Sequence, residues 1–83
     1  MLEGRIAARH RVNKPARINY GGDKYPCTVR DISETGAALE FPDLTTQNIL
    51  KTKAFTLEIS EDRLKLPCRI VWQRGYRMGV TFV

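Results

Sequence analysis

Alternation of apolar and polar residues with a period of two governs this chain from Ala16 to its last residue and limits it to short β-strands. Ala16, Ile18 and Tyr20 share one face of a first segment, which Gly21-Gly22-Asp23 ends as a hairpin turn. Cys27 and Val29 then alternate with Thr28 and Arg30. A polar run from Asp31 to Gly36 separates them from Ala37-Ala38-Leu39-Glu40-Phe41. Phe55, Leu57 and Ile59 share a face, and Ser60-Glu61-Asp62 forms a turn. Leu64, Leu66, Cys68, Ile70 and Trp72 continue the alternation, which slightly favours Trp72 inside with Ile70 and Cys68 over a place at the rim, where a base could stack on it. After the Arg74-Gly75 turn, Tyr76, Met78, Val80 and Phe82 complete a sixth strand. Residues 44–52, beyond the Pro42-Asp43 break, have no clean period and read as a connection with room for one helical turn.

At 83 residues the chain can bury one small core and no more. Six short alternating strands are best served by closing on themselves, because closure removes the open sheet edges. The expected fold is therefore all-β: a small six-stranded antiparallel β-barrel over residues 15–83, preceded by a flexible basic N-terminal arm over residues 1–14.

The arm is where the charge lies. Residues 1–17 carry Arg5, Arg9, Arg11, Lys14 and Arg17 against Glu3 alone, a local balance of +4 out of a total of +5, so the remaining 66 residues are nearly neutral. A basic arm on a neutral body points to an anionic partner: a nucleotide, a nucleic acid or an acidic surface. No stretch approaches the length of apolar sequence a membrane helix needs, and the N-terminus has no signal-peptide core, so a cytoplasmic location without membrane insertion is expected. Cys27 and Cys68 are too far apart for a CxxC pair and too few for a structural metal, and are read as buried, reduced thiols. His10, the one histidine, has no neighbouring carboxylate or cysteine set to orient it and belongs with the basic arm. No residues assemble a nucleophile with a base, a metal site or a glycine-rich phosphate loop, so an enzyme is not expected, and no cofactor.

Two short patterns carry chemistry. Asp31 and Ser33 are two apart, so on an extended chain their side chains leave the same face, and Gly36 can take the positive φ of a tight turn. A carboxylate so placed can accept from N1–H and the exocyclic amine of guanine, and the hydroxyl can add a bond. The same residues also suit plain turn chemistry, their side chains bonding to nearby backbone N–H groups. Arg5 and Arg9, four apart in the arm, carry guanidinium forks that fit phosphate oxygens and the O6/N7 edge of guanine.

Arg5-Ile6-Ala7-Ala8-Arg9 resembles the RxxxR motif of the PilZ family, and Asp31-Ile32-Ser33-Glu34-Thr35-Gly36 resembles its D/NxSxxG motif, in the same order and at a fitting separation. The similarity continues through Cys27-Thr28-Val29-Arg30, Ala37-Ala38-Leu39-Glu40-Phe41, Val71-Trp72 and Gly79-Val80-Thr81-Phe82, and so covers nearly the whole chain. It implies a six-stranded barrel whose arm folds over the outer surface and closes on cyclic di-GMP. By that resemblance Arg5 and Arg9 hold phosphates and guanine, Asp31 and Ser33 hold a guanine edge, and Gly36 completes the strand end. An arm that orders on a dianionic ligand would pass the signal to a downstream protein partner. The chain departs from the family at Gly4, where a further arginine is often found, and in ending at Val83 without the helix that often follows the last strand. An output surface on such a helix is then missing or lies outside these residues.

Two other readings use the same residues. Arg69, Arg74 and Arg77 with Tyr76 resemble a basic, aromatic patch on a small barrel that binds single-stranded nucleic acid. A PilZ-like domain that has lost its ligand and only docks on a protein would also keep the fold. The paired motifs favour the cyclic di-GMP receptor, with no nucleic acid expected as partner.

Overall fold

The computed structural model describes residues 9–42 and 54–83. Six strands run β1 His10–Tyr20, β2 Asp23–Ile32, β3 Gly36–Glu40, β4 Ala54–Ile59, β5 Leu64–Arg74 and β6 Arg77–Phe82. They close into an antiparallel barrel in the order β1-β2-β3-β6-β5-β4, with β4 returning to pair with β1. The expected six-stranded barrel is therefore the fold. Residues 10–14, grouped by charge with the arm, are strand residues of β1, while the stretch 44–52 and Arg5 lie outside the described residues.

The turns follow from the residues that form them. Gly21 and Gly22 take φ of 60° and 87°, the two successive positive values that a two-residue hairpin with strand-matched twist requires. Between β4 and β5, Ser60–Asp62 forms a single 3₁₀ turn closed by Arg63 in the left-handed region. Lys14 on β1 anchors that turn through its ammonium group, 2.6 Å from Asp62 and 3.6 Å from Glu61.

Inward-facing residues from all six strands make the core, in which Ile18, Val29, Leu39, Leu57, Ile59 and Met78 are fully buried. Cys27 and Cys68 face the same interior as free thiols, and burial pushes them up to about 12 and about 11 respectively, so both stay protonated at neutral pH. This matches their expected role as packing residues.

Glu58 is the one charged residue buried among those described, and it faces outward from β4. Lys24 (3.2 Å), Asn19 (3.3 Å) and Arg17 (3.2 Å) all donate to it. The Lys24 hydrogen bond leads in holding its carboxyl below the usual carboxylate value, against the opposing effect of burial. A carboxyl whose pKa is lowered by folding stabilises the fold above its unfolded pKa of about 4.3, and that contribution is lost as pH falls through the lower folded value. Melting temperature should therefore fall more steeply below pH 4.5 in the native protein than in Glu58→Gln; parallel curves would show that Glu58 is not coupled to folding.

Candidate functional site

Simple parity would bury Asp31. Cys27 and Val29 point inward, so an unbroken strand would direct Asp31 into the apolar core. A β-bulge between Val29 and Asp31 shifts the register by one, so that Val29 pairs with Leu39 but Asp31 pairs with Ala38. Asp31 thereby turns to the outer face, and Ile32 packs against the core instead. A second bulge between Ile70 and Trp72 acts likewise on β5: Ile70 pairs with Val80, Trp72 with Gly79, and Val71 is the extra residue.

The second bulge overturns the slightly favoured inside placement of Trp72 and leaves it on the outer face, nearer the rim alternative. Its indole is 44% exposed and lies across the outer face over Gly79, filling the space where a side chain at that position would be. A cross-strand aromatic covering a glycine protects the bare backbone and fixes the ring.

The two bulges bring their residues into one lateral row. Asp31 pairs with Ala38, Ala38 with Gly79 and Gly79 with Trp72, so four adjacent strands present a carboxylate, a methyl group, a bare backbone and an indole on the same outer face. Small residues in the middle leave a trough against the Trp72 indole, with Arg9, the ion-pair partner of Asp31, on its lining. The cavity there is about 210 Å³, lined by Arg9, Thr35, Gly36, Ala38, Trp72 and Thr81 among others, which is room for one flat heterocycle rather than a whole dinucleotide. Other cavities, beside Phe41 and beside Pro15, are not lined by an exposed aromatic.

Of the residues singled out in the sequence, Arg9 and Asp31 meet directly, with Nη1 donating to Oδ1 at 2.6 Å. Arg9 is 64% exposed and Asp31 26%, so the pair stands in high dielectric and contributes about 0–1 kcal/mol. A ligand can displace it. Arg11 is the cross-strand partner of Asp31 and adds a second cation at this end of the row.

Ser33 and Gly36 come together in the β2–β3 turn. The Ser33 Oγ accepts from the backbone N–H groups of Thr35 and Gly36, each at 3.2 Å, and the Ser33 N–H donates to the Gly36 carbonyl at 2.8 Å. Ser33 thus performs the turn chemistry that its sequence context allows, while Asp31 does not: its partner is Arg9. β6 pins the turn from the other side, where Phe82 N–H (2.8 Å) and Thr81 Oγ1 (3.1 Å) both donate to the Thr35 carbonyl.

Gly36 does not serve the turn as expected. Its φ is not positive, and glycine is required because β6 passes so close that a Cβ would overlap the Val80 carbonyl oxygen and sit 3.3 Å from Thr81 Cα. Sequence reasoning also missed the part played by Gly79. The signals for the bulges were present in two places where apolar residues break parity: Ile32 after Asp31, and the consecutive Ile70-Val71-Trp72.

The fold and the trough define a class: a closed antiparallel barrel with a carboxylate, an aromatic face and nearby arginines on its outer surface. Residues 3–83 match the family model for the PilZ domain, and the chain belongs to that family, in general one of cyclic di-GMP-binding modules. No curated protein sequence shows significant similarity to the chain. Among the described residues there is no cluster of three His, Cys, Asp or Glu side chains to hold a metal ion, and no helix long and apolar enough to cross a membrane.

Proposed function

We propose that this PilZ domain is a cytoplasmic cyclic di-GMP receptor that changes conformation on binding and passes the signal to a protein partner. The observation that carries this reading is the outer-face row in which Asp31 and Trp72 flank Ala38 and Gly79. One guanine of the ligand enters the trough, stacks on the indole and donates N1–H and its exocyclic amine to the Asp31 carboxylate. Trp72 supplies an apolar face at little entropic cost, because its ring is already seated on Gly79.

Ser33 and Gly36 act on the ligand through the turn they build. With the Ser33 Oγ committed to two backbone N–H groups, the β2–β3 turn is held in one shape, and Asp31 is presented from a fixed strand end. Arg9 supplies the switch. In the free protein it satisfies Asp31; as guanine takes over the carboxylate, the guanidinium is released to a phosphate or to guanine O6 and N7, with Arg5 of the same arm joining it. Exchange of a weak exposed ion pair for charge-assisted bonds to a dianion favours the bound state and reorients the N-terminal arm.

Calorimetric titration with cyclic di-GMP, beside GTP and a short single-stranded RNA at two salt concentrations, tests this reading. Selective binding of the cyclic dinucleotide is expected. Salt-sensitive RNA binding without it would favour a nucleic-acid-binding barrel instead, and no response to any of the three would leave a protein-docking domain.

A further inference from the structure

We infer that Arg69 is a phosphate-binding residue of this site, supplied by β5 at the end of the trough away from the N-terminal arm. The inference rests on the receptor reading above and extends it to a residue outside both sequence motifs.

The register places Arg69 on the outer face. On β5 the inward residues are Cys68 and Ile70, while Arg69 is exposed. Its cross-strand partner is Thr81, whose own partner on the next strand is Gly36. Gly36 and Thr81 both line the trough, so Arg69 continues the row Gly36–Thr81 by one strand. That row runs beside the row holding Asp31, Ala38, Gly79 and Trp72. Neighbouring strands are about 4.8 Å apart and same-face residues along a strand about 6.7 Å apart, so the bulk of the trough is within reach of an extended arginine side chain rooted at position 69.

Charge makes the position matter. At the other end Arg9 is paired with the Asp31 carboxylate at 2.6 Å, and Arg30 and Arg77 share Glu40 at 3.5 and 3.7 Å. Arg69 faces Thr81 on one side and Ala54 on the other, and among the described residues it forms no ion pair. Among the described residues its charge is uncompensated, and it lies one row from the indole. A ligand with two phosphates whose base lies on Trp72 cannot direct both toward the arm, and the phosphate turned away from it meets Arg69. The guanidinium then gains a bidentate partner without giving one up.

Arg74 is the natural comparison. It is also exposed on the outer face of β5, on the other side of Trp72, but its cross-strand partner is Arg77 and the neighbouring row leads to Glu40, away from Gly36 and Thr81. Both arginines contribute equally to the overall charge of the face, so the pair separates a local contact from a diffuse field.

The test is calorimetric titration of the full chain, and of Arg69→Gln and Arg74→Gln, with cyclic di-GMP at two salt concentrations, with melting curves to confirm folding. Arg69→Gln is expected to bind about tenfold more weakly and with a shallower salt dependence, and Arg74→Gln to stay within about twofold of the native protein. Equal losses in both variants, or no loss in Arg69→Gln while the native protein binds, would overturn the assignment of Arg69 and leave the receptor reading standing. Failure of the native protein itself to bind would overturn both.

Discussion

Gly36→Ala should lower the melting temperature by roughly 10–20 °C, the largest stability loss expected from adding a single methyl group to this protein. The added Cβ would overlap the Val80 carbonyl oxygen and press on Thr81 Cα, both backbone atoms of β6 that no side-chain rotation can move. Relief requires β3 and β6 to part, and these two strands hold five successive cross-strand pairs from Gly36–Thr81 to Glu40–Arg77. Overpacking of this kind costs about 1–3 kcal/mol, a large share of the stability of a domain this small. The same displacement loosens the bonds from Phe82 and Thr81 to the Thr35 carbonyl, so ligand affinity should fall with stability. A melting temperature within a few degrees of the native value would show that the strands are not held at that distance in solution.

Asp31→Ala should have the opposite profile, weakening cyclic di-GMP binding by about 100-fold while leaving the fold nearly unchanged. The affinity loss reflects two hydrogen bonds from guanine to a charged acceptor. The small stability effect follows from exposure, since the Arg9–Asp31 pair has a guanidinium that is 64% exposed and contributes about 0–1 kcal/mol. If Asp31 were instead a turn residue, the variant would melt earlier and bind as well as the native protein. Measuring both quantities on this one variant separates the two roles. For Ser33, whose Oγ accepts from two backbone N–H groups of its own turn, a loss of stability is expected alongside any loss of binding.

The strands were legible in the sequence because a barrel with one buried face imposes the period-two pattern wherever its register is regular. Ile18, Cys27, Val29, Leu39, Leu57, Cys68, Met78 and Val80 all face the core as that pattern requires. It misleads at bulges, where one extra residue inverts the parity. Trp72 continues the run Leu64, Leu66, Cys68 and Ile70 without a break, yet the extra residue at Val71 turns it outward. Nor can parity reveal which outward residues share a row, since that depends on the pairing of β3 with β6, strands distant in sequence. The motif residues Asp31, Ser33 and Gly36 could be named from the sequence. The trough beside them could not, because its far wall is Trp72 and its floor is the bare backbone of Gly79.

Guanine placed between Asp31 and Trp72 would lie against the only tryptophan in the chain, whose emission reports on that position. Titration of the native protein with cyclic di-GMP should produce a saturable change in that emission, with a midpoint matching the calorimetric one, and the change should be lost in Asp31→Ala at the same ligand concentrations. Calorimetric binding with the Trp72 emission unaltered would contradict the account, because the ligand would then be bound somewhere other than the trough.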